Sequence, residues 1–514
     1  MSIHDSQGEL DRSLEIARAA LEHAPASRAL RVTVAERLVL AGRAAEAEAV
    51  LREATRSPDP QLAAAAWLDL GKLRNRLGEY GPAGEAIERA LELVRQTGLP
   101  APQLEFDYAD TLVVAGRLGR ALEVAEDLSV PAHRHLIRAR VAQERRQPAL
   151  ALEEFDAGLR LWPDNPYARY YAALAAEELG DFDRALEELR YSIRNSPGAT
   201  EARIRGATLL LAEGRPRPAL LMLLTGSERG HPLEIEGQLL AMRLYGAVGN
   251  LAAASASLER LEKSGPAWVG RALAETAKGA AQQAGPAVAL KLLASAPKAD
   301  YQQPRYAAAL REFVRFAHEA AETAAAQAAL RAALAAHPDS GAFQEIRGLD
   351  LELSGAPSDA VRAAYTRALE LEPGNAWALE GLGRLALDDD PAAALGFFDR
   401  AAAADPSDPD PKLQAARALI AGGKPAQAAE RLDALLLEHP FEAEAAAERA
   451  RLDLERGIAT PETLERARRA VRCGGGADAL ELLSRVHARR DEPELAARAA
   501  ERARALREAR ASEG

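Results

Sequence analysis

Few residues of this 514-residue chain stand at spacings that could do chemistry. His318-Glu319-Ala320-Ala321-Glu322 opens like the HExxH helix of a zinc hydrolase, in which two histidines one turn apart hold the metal. Glu322 occupies the second ligand position, so the two-histidine face is missing and the segment reads as surface helix. His133 and His135 are two apart, which on a helix points them to different faces, and no further ligand cluster is near. Cys473 is the sole cysteine, which excludes an intrachain disulfide, a zinc ribbon and a CxxC pair. One neighbouring Arg472 is little reason for a depressed thiol pKa. The "CGGGA" run from Cys473 to Ala477 lacks the Lys-Ser/Thr of a phosphate-cradling loop, so its glycines are expected to end a helix and reverse the chain. Asp388-Asp389-Asp390 and "DPSDPDP" (405–411) invite a calcium reading, but Asp followed by Pro is also the chemistry of a helix start. No catalytic, metal or cofactor set is complete, and we expect a protein that is not an enzyme and uses no cofactor.

The elements that would position such residues follow from composition. Hydrophobic residues make up 48% of the chain and aromatic ones 4%, so the apolar content is mainly Ala and Leu, which favour helix over strand. At this length one compact core is excluded, and several domains or one elongated repeat array are expected. The 65 basic residues against 77 acidic ones leave a net charge of −12, which argues against nucleic acid and against an anionic membrane surface as partners. Of the basic residues 58 are Arg, which with the abundant Ala suggests a GC-rich bacterial genome. The opening MSIHDSQGELDR does not read as an export signal, and stretches such as Ala219–Leu224 are too short to span a membrane. A cytoplasmic location is expected.

Prolines closing helical stretches supply a ruler. Pro163 and Pro197 are 34 apart, Pro338, Pro373, Pro406 and Pro440 follow at 35, 33 and 34, and Pro25 and Pro58 are 33 apart. Each interval reads as a helical stretch, Gly with one or two polar residues, a second helical stretch with a small residue at the crossing point, then Pro. Apolar residues recur at i, i+3, i+4 and i+7 on both helices, a stripe too wide for one hairpin to bury, so neighbours must stack.

At these residues the chain resembles the tetratricopeptide-repeat family, whose unit is a pair of antiparallel helices with a W-x2-L-G-x2-Y…A-x3-F…P signature. Trp67, Leu70, Gly71, Gly78, Tyr80, Ala83, Ile87 and Ala90 follow it, with Arg74 in place of the first Tyr. Phe182, Ala185, Leu189 and Pro197 give a second copy, and Leu382, Gly383, Ala394, Phe398 and Pro406 a third. The resemblance implies an all-α, right-handed α-solenoid, or superhelix, of stacked hairpins. Extending the period gives a disordered tail over 1–7, one solenoid of about 14 hairpins over 8–511 after a lone helix from about Leu10, and a frayed end at 512–514. The match weakens over 225–305, where "TGSERGHP" (225–232) replaces the usual Pro and looser packing or a change of curvature is expected.

In that family the first helix of each hairpin lines the concave face. Counting back from the turns, position 9 carries Lys72, Arg140, Arg243, Arg315, Arg384, Arg417 and Arg451, a basic ladder that would suit an acidic partner segment. Equally, Glu312, Glu380 and Glu448 precede their arginines by three or four residues and could pair with them. Tyr167, Tyr170 and Tyr171, with Arg140 and Arg205 on flanking hairpins, form a second candidate contact site, since Tyr and Arg anchor many recognition surfaces. Packing between hairpins is the other reading of these tyrosines. Lys72, Asn75 and Arg76 do not reproduce the family's two-carboxylate clamp, which draws on three hairpins. The expected function is a scaffold or adaptor holding a partner peptide or protein surface in the groove. Two alternatives stay open: a regulatory sensor of a signalling peptide or small ligand, and a targeting subunit of an envelope, exopolysaccharide or pilus assembly.

Overall fold

The computed structural model describes residues 3–98, 100–227, 233–296 and 299–513. The described residues contain α-helices joined by short turns, with two single 3-10 turns and no strand. They form two compact units, Met1–Thr200 and Glu201–Gly514, where the sequence suggested one uninterrupted solenoid.

In the first unit α1 (Ile3–His23) precedes the hairpins α2/α3 (Arg28–Leu40, Ala44–Ala54), α4/α5 (Pro60–Arg76, Tyr80–Gln96) and α6/α7 (Pro102–Val114, Leu118–Asp127). Hairpins α8/α9 (Pro131–Glu144, Pro148–Leu161) and α10/α11 (Pro166–Glu178, Phe182–Asn195) complete it. The second unit holds α12/α13 (Ala202–Ala212, Pro216–Leu224), α14/α15 (Ile235–Val248, Leu251–Ser264), α16/α17 (Val269–Ala284, Pro286–Ala294) and α18/α19 (Ala307–Glu319, Ala324–Ala336). There follow α20/α21 (Gly341–Leu353, Ser358–Leu371), α22/α23 (Ala376–Ala386, Pro391–Ala404) and α24/α25 (Asp410–Ala421, Pro425–Glu438). Last come α26/α27 (Ala443–Glu455, Pro461–Arg472) and α28/α29 (Gly476–Arg489, Pro493–Glu513). Two boundaries differ from expectation. Residues 3–7 are helical instead of a tail, and the last helix reaches Glu513, because extending a helix already anchored by packing adds a hydrogen bond per residue without a new nucleation cost.

The turns explain the regularity. At Gly180 the backbone is left-handed (φ 74°), and the following Asp181 N–H donates to Ala176 O at 2.9 Å, which satisfies an orphan carbonyl of the helix end. The same bond recurs from Arg43 to Leu38 and from Lys424 to Leu419. Arg146, Ala321 and Asp491 occupy the left-handed position without being glycine (φ 57°, 57° and 61°), which strains them. Asparagine and aspartate side chains start many of the helices: Asn165 Oδ1 accepts from the N–H groups of Tyr167 and Ala168, both at 3.0 Å.

Small residues decide how near the helices come. Beside Gly71 a Cβ would stand 2.5 Å from Ile87 Cγ1, and beside Gly383 one would stand 2.6 Å from the Phe398 ring, so each glycine seats a large side chain of its hairpin partner. In the stretch where looser packing was expected, the first helices pack more closely instead. A Cβ on Gly246 would fall 2.0 Å from Thr276 O and one on Gly279 1.9 Å from Arg243 O, so α14 and α16 meet backbone to backbone. Among the described residues the partner helix α15 buries only Ala254 and Leu261. Tyr306, Phe313, Phe316 and Phe343 are buried beside this contact in one continuous apolar cluster. Of the linker 225–232, residues 228–232 lie outside the described residues.

Candidate functional site

Every member of the basic ladder has a carboxylate within reach. Arg315 donates to Glu312 (2.5 Å) and Glu319 (2.6 Å) of its own α18. Arg384 makes a bidentate pair with Glu352 (3.0 and 2.9 Å) on the preceding α20, while Glu380, its expected partner, stands at 4.0 Å. Arg417 reaches Glu444 (2.9 Å) and Glu448 (3.4 Å) on α26, and Arg451 also holds Glu448 (2.8 Å). Lys72 lies 3.8 Å from Asp107, Arg140 3.7 Å from Asp110 and Arg243 4.0 Å from Glu275. Six of these ten pairs cross to the neighbouring hairpin, a separation of about one repeat that spacing within a single helix does not reveal.

The tyrosines divide in two. Tyr171 is partly buried, stacked parallel on Phe155 (centroids 6.5 Å apart) and covered by the Arg140 guanidinium at 3.8 Å from its ring centre. Tyr170 meets its edge at 5.6 Å. Tyr167, one turn earlier on α10, is 55% exposed. Arg205 belongs to the second unit, where its guanidinium lies 5.8 Å from the Phe441 ring centre.

The other chemistry-bearing residues are held in structural contacts. His318 Nε2 lies 2.8 Å from Asp350 Oδ1, and Gln327 donates to the same oxygen at 3.1 Å. His133 is buried against Phe106 (4.7 Å) and Trp162 (5.9 Å), and burial pushes its pKa below the usual imidazole range. His135 pairs with Glu154 at 2.6 Å. Asp390 caps α23 by accepting from Ala393 N–H, and Asp405 and Asp408 accept from the backbone two residues on. Burial pushes the Cys473 thiol up to about 12, away from reactivity. Among the described residues no group of three or more His, Cys, Asp or Glu is placed to hold a metal, and no helix is long and apolar enough to cross a membrane.

A polar seam runs through α18, α20 and α22. Arg311, Glu345 and Glu380 stand one repeat apart, with Arg311 donating to Glu345 at 3.2 Å and stacked 4.7 Å from the Trp377 ring centre. Glu345 is almost fully buried, and burial raises its pKa against the pull of Arg311. Burial and the nearby Asp408 push Glu380 up to about 7.

The second unit also forms a half-open chamber of about 760 Å³. Its walls come from α12, α14 and α16 on one side and α24, α26, α28 and α29 on the other, with Phe441 and the Cys473–Gly476 backbone between them. Arg417 and Arg451 of the ladder line it, each already paired. Asp410 and Glu442 line it with no ion-pair partner among the described residues, and Arg243 is the cation nearest Glu442 in effect. Desolvation in the chamber wall and the charge of Asp410 push Glu442 up to about 7, and the Asp410 carboxyl, though open to solvent on one side, is raised in the same way beside Asp408. Glu442 was not singled out in the sequence and Asp410 only as part of the 405–411 run read as a helix start, since nothing local indicates that α12 lies opposite α26.

Two models of the tetratricopeptide repeat match the chain, one over residues 35–97, 138–200, 317–376 and 359–409 and the other over 385–452, together just over half of it. No curated protein matches in sequence. Among solved structures, the anaphase-promoting-complex hetero-tetramer Cut9–Hcn1 is similar at 14% identity, with 90% of this chain and 98% of that chain covered and a TM-score of 0.35. Yeast Tom70 is similar at 14% identity over 73% and 85% (TM-score 0.36), and Naa15/Naa10 bound to HypK at 15% over 98% and 92% (TM-score 0.36).

Proposed function

The chain belongs to the tetratricopeptide-repeat family, and on that premise we propose that it is a non-catalytic scaffold that holds a segment of a partner protein against its inner helices. The chamber of the second unit carries this reading. Its volume lies within the roughly 300–1,000 Å³ of ligand pockets, and it is walled by side chains of first helices from several hairpins. Because Arg417 and Arg451 are already neutralised, a purely acidic segment would have to displace Glu444 and Glu448. Asp410 and Glu442 face the chamber unpaired, so a segment of mixed charge with a Lys or Arg against these two acids fits better. Tyr167 is the candidate aromatic anchor of the first unit, since its ring is open while Tyr170 and Tyr171 are tied into packing. The test is an affinity pull-down with mass spectrometry, run in parallel on the natural chain and on Asp410→Asn/Glu442→Gln. Partners held in the chamber should drop at least about tenfold from the variant, the equivalent of one good charged contact. An unchanged partner set would remove the chamber from the function.

A further inference from the structure

The second unit closes on itself, and a buried ion pair stands at the closure. The end of α12 meets the turn between α27 and α28, two places about 260 residues apart along the chain. There Arg472 Nε donates to Glu213 Oε1 at 2.5 Å. The Glu213 carboxylate is only 7% exposed and also receives Arg215 at 3.0 Å, so it is buried between two guanidiniums. Beside it the backbones nearly touch, since a Cβ on Gly474 would stand 3.1 Å from Ala212 O. Gly474 also has a φ of +93°, so this position needs glycine for both conformation and space. Across the same junction Arg205 lies over Phe441. Thr208, Leu211 and Ala212 wall one side of the chamber, and the Cys473–Ala477 turn walls the other.

We infer that the Glu213–Arg472 pair is a clasp that keeps the second unit closed and so builds the chamber wall. The physical reason lies in how a repeat array distributes its stability. Each hairpin is held by its sequence neighbours, and a contact between distant hairpins adds to that chain of interfaces without being needed by any one of them. Such a contact can open while every hairpin stays folded, with Glu213 keeping Arg215 when Arg472 leaves. The clasp is independent of what the chamber holds.

Cys473, the sole thiol of the chain, follows Arg472 directly and is 7% exposed, which makes it a reporter of closure. The experiment measures the rate of maleimide labelling of Cys473 in the folded full-length chain, normalised to the rate in denaturant, with circular dichroism confirming folding. Glu213→Gln should raise the normalised rate about tenfold, and Glu213→Arg more. The reversed pair Glu213→Arg/Arg472→Glu should return it close to the natural value. Should Glu213→Arg fail to fold, Glu213→Gln against the natural chain decides the matter. Labelling of folded Glu213→Gln at the natural rate would overturn the clasp. So would a reversed pair that labels as fast as Glu213→Arg, since the loss would then lie in the α12/α13 hairpin and not in the pairing.

Discussion

Helices α4/α5 and α14/α16 are both close pairs built on small residues, but they are close in different ways. In α4/α5 the gap left by Gly71 is filled by the buried side chain of Ile87, with Ala83 O beside it at 3.2 Å from where a Cβ would stand. Between α14 and α16 the gaps at Gly246 and Gly279 are filled by the carbonyls of Thr276 and Arg243, which belong to helices that cannot yield locally. The first arrangement is the family's usual knob against a small residue within one hairpin. The second joins the first helices of two successive hairpins and leaves α15 at the margin. A weak match to the repeat signature therefore marks a different way of packing and not a weaker one.

The sharpest way to break this comparison is to add one methyl group at each kind of contact. Gly279→Ala puts a Cβ into the backbone of α14 and should cost roughly 3 kcal/mol, read as a lower urea midpoint of the second unit. Gly71→Ala should cost less, about 2 kcal/mol, because the atom in the way belongs to a side chain and the alanine regains helix propensity. Equal losses at the two sites would show that the difference in filling atom has no energetic weight.

A second contrast sharpens the picture. The α14/α16 contact sets glycine against backbone, whereas the seam through α18, α20 and α22 buries carboxylates. Glu380 ionises in the folded chain at about 7 against an ordinary 4.5, so between those values the folded state holds a proton that the unfolded chain has released. Stability from this group is full at pH 4 and is lost as pH rises through 7. Glu380→Gln should therefore stabilise the chain by about 1 kcal/mol at pH 8 and by almost nothing at pH 4.5. Melting curves at the two pH values check it, and a gain of the same size at both would assign the effect to packing.

The smallest expected effect concerns the turns that hold the regular hairpins in register. Ala321 adopts the left-handed conformation that Gly180 and its equivalents adopt without strain. Ala321→Gly should raise stability by about 0.5 kcal/mol, the relief of strain exceeding the greater freedom of the unfolded glycine. A lower melting temperature would show that the turn tolerates alanine without strain.

Much of this architecture could be read from the chain alone, because a repeat writes its geometry into local spacing. The prolines at 33 to 35 residues, the turn glycines and the i, i+3, i+4 stripes are all short-range signals, and each hairpin contacts little beyond its neighbours. The pairing of Arg315 with Glu312 and of Arg451 with Glu448 was legible for the same reason, being one turn of a single helix. The bidentate hold of Glu352 on Arg384 was not, since a second hairpin must first be stacked at a definite rotation. Residues 3–7 of the expected tail are helical because helix ends depend on packing as well as on composition.

What only the tertiary structure decided is everything that depends on accumulated rotation from hairpin to hairpin. Small differences in each stacking angle add along an array, and no residue pattern within one repeat records their sum. That sum brings Glu213 to Arg472, sets Asp410 and Glu442 facing the same chamber, and places Arg205 over Phe441. The amino-acid sequence by itself determined the unit, its period and the residues each hairpin buries, since these follow from helix propensity and apolar periodicity. Where the second unit meets itself follows from geometry that exists only once its hairpins have stacked.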